Sequence, residues 1–211
     1  MERKYRQHTA KRTIDGNNFK GGVIDFDFSV GSNTVFIPSK SYFRIGVKLM
    51  AQDVLADGEP SAPRNPRKGD DFTFANFCPG NLFDNCFFYA GGAPVSSCIN
   101  YGPQAHALTY RLKRSGAWLN TIGKDAFGIC ADYQRRLHMS SDDSAAAAEA
   151  ALGGLVPSLD DKDQNIKYFL YQPPIGIMEC EKALGSGQYR FQFNPCIGYN
   201  QYTKHREIQS N

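Results

Sequence analysis

Two pairs of residues in this sequence have the types that nucleophilic catalysis needs, a cysteine with a nearby histidine. They are Cys98 with His106 and Cys130 with His138. A thiol and an imidazole can act as nucleophile and base, but neither pair lies in a recognisable local signature. The sequence also lacks a phosphate-binding glycine loop and a Gly-x-Ser-x-Gly nucleophile elbow. We therefore expect no catalytic residues and predict that the protein is not an enzyme.

Metal ligation is the other chemistry that these residue types could serve. No two of the four histidines lie two or four residues apart, and the six cysteines include no Cys-x-x-Cys pair. Structural zinc sites need such short chelating turns. We expect no metal and no cofactor. Because the cysteines lie among apolar or small neighbours, we interpret them as reduced core thiols of a chain that folds inside a cell.

The positive charge of the chain is concentrated at its beginning. Residues 1–20 contain six basic and two acidic residues, whereas the rest of the chain is close to neutral. This segment has too little apolar content to fold alone, so we predict a basic arm over residues 1–22. It would reach a neighbouring subunit, the interior of an assembly or nucleic acid, through five basic residues: Arg3, Lys4, Arg6, Lys11 and Arg12. A solubilising leader is the plainer alternative.

The remainder of the sequence predicts strands. Residues 23–30, 41–50 and 188–194 alternate between apolar and polar side chains, which is typical of strands with one buried face. Residues 166–171 are almost entirely apolar or aromatic, which predicts coverage on both faces. Residues 72–77 and 82–90 also have strand character, and Gly91-Gly92 predicts a tight hairpin leading to a strand over 93–98.

A helical insertion interrupts this pattern. Pro103 suits the first turn of a helix, and Ala105, Leu108 and Leu112 follow at helical spacing as its expected apolar face. A second short helix is expected around Trp118. Residues 140–154 are rich in alanine with little to bury, so we expect an exposed, mobile loop there.

These elements predict an all-β domain. About eight antiparallel strands, packed as two sheets, would bury the Phe and Tyr side chains in a jelly-roll sandwich with a short helical insertion. The predicted organisation is an arm over 1–22, a single jelly-roll domain over 23–198 and a polar tail over 199–211. No stretch of about 18 apolar residues occurs, so no membrane span is expected.

The order of these segments resembles the jelly-roll capsid proteins of eukaryotic DNA viruses of the polinton, adintovirus and virophage kind. In that family a strand led by serine and aromatic residues precedes a Leu-Phe strand, a glycine hairpin and a tyrosine-bearing helical excursion. The corresponding segments here are Phe36–Arg44, Asn81–Ser97, the helix from Pro103 with Tyr101 before it, and Ile175–Glu179 with Leu184–Gly187 before the last strand. The resemblance covers roughly residues 35–195.

The resemblance implies a structural virion protein that assembles with copies of itself and with other capsid proteins into an icosahedral shell. It further implies localisation in the virion, synthesis inside the host cell, and contact between the arm and viral nucleic acid. Major capsid proteins of this group carry two fused jelly rolls, whereas 211 residues accommodate one. The chain would therefore be a single-jelly-roll shell or vertex protein, or one half of a double unit.

Two other functions fit the same pattern. A β-sandwich binding module that recognises a carbohydrate or a protein partner would expose aromatic residues at one end of the sandwich. An enzyme on a sandwich scaffold would instead bring a histidine, a cysteine and an acid together in one pocket.

Overall fold

The computed structural model describes residues 6–10, 22–48, 73–133 and 166–196, together with residue 155 and isolated positions between 50 and 64. Two compact units divide the chain. Unit 1 comprises Met1–Tyr42, Gly80–Thr109 and Gln172–Tyr199, and unit 2 comprises Phe43–Pro79, Tyr110–Tyr171 and Asn200–Asn211. Each unit therefore combines segments that are far apart in sequence.

The described residues confirm the all-β, antiparallel class with a helical insertion. They contain six strands: β1 (Ile24–Val30), β2 (Phe43–Lys48), β3 (Phe83–Ala90), β4 (Ala93–Cys98), β5 (Ile166–Tyr171) and β6 (Gly187–Pro195). The helices are α1 (Gly102–Lys113), α2 (Gly116–Trp118), a π-helical turn (Leu119–Gly123), α3 (Lys124–Ala126) and α4 (Gly176–Glu179), with 3₁₀ turns at Pro38–Lys40 and Gly80–Leu82. None of the described helices has the length and apolar character needed to cross a membrane.

Unit 1 is built on a four-stranded antiparallel sheet with the strand order β1-β6-β3-β4. One face of this sheet is aromatic. Phe88 lies opposite Phe191 across the β3–β6 pair with ring centroids 4.8 Å apart, and Phe193 follows one pleat further along β6. All three side chains are at most 3 % exposed. Burial of each ring contributes about 2 kcal/mol, so this face holds the sheet in register.

The opposite face of the same sheet is polar. Asp27 lies opposite Arg190 and Ser29 opposite Gln188 across the β1–β6 pair. The alternation predicted for residues 23–30 and 188–194 is thus confirmed, because aromatic and polar side chains occupy opposite faces along both strands.

The hairpin predicted at Gly91-Gly92 is confirmed. Both glycines have positive φ, 58° and 86°, as a two-residue hairpin turn between twisted strands requires. Phe88 pairs with Ser96 but Tyr89 pairs with Pro94, so Val95 is the extra residue of a β-bulge.

Helix α1 starts where predicted, but it buries a different face. Gly102, His106 and Tyr110 are buried, whereas Leu108 is 59 % and Leu112 is 77 % exposed. The expected apolar face of Ala105, Leu108 and Leu112 was therefore wrong. The reason is close packing: a Cβ at Gly102 would collide with the backbone carbonyl oxygens of Phe83 and Asp84, so the glycine face is the one that can approach the start of β3.

Unit 2 contains the two-stranded antiparallel sheet of β2 and β5. The predicted coverage of β5 on both faces was wrong, because Ile166 and Tyr168 are 37 % and 50 % exposed while Phe169 and Tyr171 are buried. Arg44 on the neighbouring strand lies over the Tyr168 ring at 3.8 Å, so the ring is accommodated on the solvent side. Strand β2 alternates as predicted, with Val47 buried.

The segment around Phe77 is a turn rather than the predicted strand. Residues 76–79 form turns, and Phe77 has a positive φ of 64°. The Asn76 side chain fixes this turn: its Nδ2 donates to the Cys130 carbonyl oxygen at 2.8 Å, and its Oδ1 accepts from the Cys130 backbone N–H at 2.8 Å. An amide that satisfies both polar groups of one residue takes the place of a strand ladder.

A short helical cluster follows α1 in unit 2, as predicted around Trp118. The Trp118 ring lies 5.2 Å from the Phe127 ring and 5.8 Å from the Tyr110 ring. The π-helical turn places Gly123 directly beneath the indole, where a Cβ would lie 2.9 Å from a ring carbon. The loop predicted at 140–154 and the tail predicted from 199 lie outside the described residues.

Replacing Asn76 with alanine should lower the free energy of unfolding by about 2–3 kcal/mol, because two backbone groups of the buried Cys130 lose their hydrogen bonds. Chemical denaturation monitored by tryptophan fluorescence measures this. Asn120→Ala is the matched control, since Asn120 makes two longer side-chain hydrogen bonds and none to the backbone of Cys130: it donates to Asp132 at 3.3 Å and accepts from the Cys130 thiol at 3.5 Å. Equal destabilisation by the two variants would contradict the bridging role of Asn76.

Candidate functional site

The structure describes one of the five basic arm residues singled out in the sequence. Arg6 is exposed, and Arg3, Lys4, Lys11 and Arg12 lie outside the described residues. Two residues after Arg6, the His8 ring packs against the Phe28 ring of β1, with centroids 5.4 Å apart. The arm therefore contacts strand β1 through His8, and the partners of its basic residues remain a prediction.

The first Cys–His pair, Cys98 with His106, has electrostatics that oppose catalysis. His106 is fully buried, and desolvation lowers the pKa of its imidazole from 6.5 to about 3. Burial raises the pKa of the Cys98 thiol, and the backbone at Tyr101 offsets this in part. A neutral imidazole with so low a pKa is a poor base, and a thiol whose pKa is raised is a poor nucleophile.

The second pair is described only through Cys130, because His138 lies outside the described residues. The buried Cys130 thiol donates to Asn120 Oδ1 at 3.5 Å, and its backbone is bound by Asn76. Among the residues that the structure describes, no group of three or more His, Cys, Asp or Glu side chains is arranged to hold a metal ion.

Unit 1 carries an uncharged stretch that runs from β3 through β4 into α1 and ends before the basic residues Arg111 and Lys113 of the last helical turn. Between Asp84 and Arg111 the sequence contains no Asp, Glu, Lys or Arg. Within this stretch four large apolar side chains are more than half exposed: Val95, Ile99, Tyr101 and Leu108. We call these four residues the uncharged edge surface. They follow one another from β4 through the connection to α1, and such a charge-depleted set is typical of a protein–protein contact.

The two edges of the four-stranded sheet differ in chemistry. Strand β1 carries Asp25 and Asp27, and charged side chains on an edge strand oppose pairing with another chain. Strand β4 carries no charge, and within the described part of the chain its ladder partner is β3. Pro94 and the adjacent bulge interrupt the first half of this strand, so Ser96–Cys98 is its regular part. Ser96 Oγ there accepts from the Ile177 backbone N–H of α4 at 3.4 Å.

Sequence reasoning missed this surface because it assigned Leu108 to the core. Two signals were present in the sequence. One is the absence of charged residues between Asp84 and Arg111. The other is that the helix has apolar residues on both sides, with Gly102 and His106 on the side opposite Leu108. Periodicity identifies the faces of a helix but does not decide which of them is buried.

A second feature of unit 1 is an open groove of about 500 Å³ on the polar face of the sheet. Eight residues line it, and Phe28, Gly92 and Tyr189 are three of them. The other five lie on the polar face, and we call them the groove residues: Asp27, Ser29, Tyr89, Gln188 and Arg190. The Arg190 guanidinium lies over the Tyr89 ring at 4.2 Å from its centroid. Arg190 Nε is buried and has no hydrogen-bond partner among the described residues. Buried donors of this kind are normally satisfied by protein, water or ligand.

Comparison with known proteins gave no relatives: no family model, no curated protein and no solved structure matches this chain.

The burial of His106 predicts that stability depends on pH. The pKa of His106 is lower in the folded state than in the unfolded state, so between pH 6.5 and 3 only the unfolded state binds the proton. The free energy of unfolding therefore decreases as the pH is lowered through that window. From pH 7 to 5 this amounts to about 2 kcal/mol. Denaturation of the full chain at both pH values measures the loss, and in His106→Gln it should be largely absent.

His8→Gln serves as the control, because His8 is exposed, and it should keep the pH dependence of the parent protein. A loss of equal size in His106→Gln and the parent would contradict the assignment. If His106→Gln does not fold, imidazole NMR shifts of the parent decide the matter, since His106 should stay neutral at pH 5.

Proposed function

We propose that this protein is a structural virion protein, a jelly-roll capsid subunit that assembles with copies of itself and acts without catalysis. The observation that carries the proposal is the uncharged edge surface. Four large apolar side chains exposed on β4, on the connection that follows it and on α1 need a partner, and the absence of charge in this stretch suits an identical partner.

Self-assembly places the same surface on every copy. Charged surfaces that meet their own kind repel each other, whereas an uncharged apolar surface buries area without that penalty. Tyr101, at 69 % exposed, is the residue that would contribute most to such a contact, because large aromatic side chains dominate interface energies. Repetition of a modest contact around a closed shell then gives a stable particle.

The strand order of unit 1 supports the jelly-roll assignment. Among the described strands, the first, β1, lies beside the last, β6, and β3 and β4 follow as a hairpin. Neighbouring first and last strands, joined through long connections, are characteristic of Greek-key arrangements, from which jelly rolls are built. The eight-stranded sandwich over 23–198 is part of this proposal.

The basic arm has a place in the same proposal. Arg3, Lys4, Arg6, Lys11 and Arg12 would contact neighbouring copies, other capsid proteins or viral nucleic acid inside the shell. The packing of His8 on Phe28 supports an arm that starts from unit 1. The protein would be made inside the host cell and located in the virion.

A second candidate function is a β-sandwich binding module that recognises a carbohydrate or a protein partner. The observation that favours it is the groove on the polar face of the unit 1 sheet, where Arg190 stacks on Tyr89 beside exposed polar side chains. Ligand sites commonly combine a ring with a few convergent polar groups.

Introducing charge into the uncharged edge surface should abolish assembly. The full chain should form species much larger than one chain, seen by light scattering after size exclusion and as closed particles in negative-stain micrographs. The double variant Val95→Lys with Leu108→Lys should elute as a monomer, because both residues are more than half exposed and their replacement places like charges in every copy of the contact.

Ile122→Lys is the matched control, since Ile122 is exposed to the same extent, 55 %, in unit 2. It should assemble like the parent protein. A monomeric parent at tens of micromolar protein, or a double variant that assembles as well as the parent, would contradict the proposal. Circular dichroism spectra identical to that of the parent establish that the variants are folded.

A further inference from the structure

We propose that the groove residues of unit 1 bind a neutral, hydroxyl-rich ligand, namely a carbohydrate. This binding role rests on the second candidate function and names its ligand and its site. It is separate from the uncharged edge surface, because none of the four residues of that surface lines the groove, which is formed by β1, the start of β6, the end of β3 and the turn at Gly92.

The register of the sheet brings the groove residues together. Arg190 is the central position: Asp27 lies opposite it on β1, and Tyr89 lies opposite it on β3. Ser29 lies opposite Gln188, two residues further along the same face. Directly opposed side chains in an antiparallel pair lie about 5 Å apart, which is the scale of one sugar ring.

The hydrogen-bonding capacities of the groove residues are mixed. The Asp27 carboxylate only accepts, the Arg190 guanidinium only donates, and Ser29 and Gln188 do both. A ligand that matches such a set must donate and accept at neighbouring atoms, as the hydroxyl groups of a sugar do. The buried Arg190 Nε has no hydrogen-bond partner among the described residues, and a ligand hydroxyl oxygen could accept from it.

Outside the groove, the polar face contains further buried polar atoms without hydrogen-bond partners among the described residues. Asp25 Oδ1 on β1 and Asn194 Oδ1 on β6 are also buried without a hydrogen-bond partner among the described residues. Both positions belong to the same face as Arg190, since they differ from Asp27 and Arg190 by even numbers of residues. Acceptors and a donor are thus unsatisfied together on one face of one sheet, which indicates that polar atoms complete it.

The charges of this face disfavour an anion. Among the described residues of this face, Asp25 and Asp27 contribute two carboxylates and Arg190 contributes one guanidinium, which disfavours phosphate or sulfate. The rings of Tyr89 and Phe87, 6.2 Å apart on the same face of β3, add apolar surface beside the polar groups. A sugar ring presents hydroxyl groups at its rim and C–H groups on its faces. The hydroxyl groups match the polar side chains of this face, and the C–H groups match its aromatic rings.

Saturation-transfer difference NMR on the full chain tests the proposal. The probes are three neutral disaccharides, lactose, cellobiose and maltose, at millimolar concentration, with inorganic phosphate as the anionic probe. At least one disaccharide should receive saturation. Arg190→Gln should reduce that signal about fivefold or more, because the central donors are lost, and Gln188→Ala, at an exposed position, should also reduce it.

The chain provides a matched control in Arg44→Gln. Arg44 stacks on Tyr168 at 3.8 Å, a pair of the same chemistry on the β2–β5 sheet of unit 2, and its loss should leave the signal unchanged. Three outcomes would overturn the proposal: no transfer to any of the three disaccharides, equal transfer in Arg190→Gln and the parent, or binding of phosphate alone. Light scattering on the same samples reports assembly separately, so failure of one function is distinguishable from failure of the other.

Discussion

The aromatic face of the unit 1 sheet is the constraint on which the other features depend. Phe88, Phe191 and Phe193 are almost fully buried, and Phe26 and Phe28 extend the same face on β1. Side chains alternate along a strand, so a slip of one residue in β6 would place Arg190 on this face and expose two phenylalanines. Burial of the rings thereby fixes the register, and the register fixes which polar side chains meet on the other face.

The surfaces proposed for function both follow from this register. Because Phe191 is buried on the aromatic face, the adjacent Arg190 lies on the outer face of the sheet. It lies there between Asp27 and Tyr89, and this arrangement forms the groove. The same pairing makes β4 the outermost strand beside β3, and the strand has no charged side chain to oppose a partner. Assembly through an edge and ligand binding on a face are physically compatible, because they use different parts of one sheet.

The sequence predicted those parts of the fold that depend on local pattern. Strict alternation identified β1, β2 and β6, and paired glycines identified the hairpin, because period two and positive φ are properties of short segments. The prediction at Phe77 was wrong because a side-chain amide, Asn76, provides the hydrogen bonds of that turn from a partner more than 50 residues away. Nothing in the local pattern reports such a partner.

The candidate site was less predictable than the fold. Leu108 has the helical spacing of a core residue, and its exposure is decided by the close approach of Gly102 to β3. The groove requires the pairing of β1, β3 and β6, which single-strand patterns do not specify, so Arg190 and Tyr89 were not recognised as neighbours. The arm residues were recognisable by charge alone, and their contacts lie outside the described part of the chain.

Hydrogen–deuterium exchange of the full chain at low and high protein concentration tests the central claim most directly. Backbone amides of β4 and of the connection to α1 should exchange at least about tenfold more slowly once particles form, because the uncharged edge surface becomes buried between copies. The amides of β1, at the acidic edge, should exchange at the same rate in both states. Particles that form while β4 exchange is unchanged, or that protect β1 instead, would contradict the account.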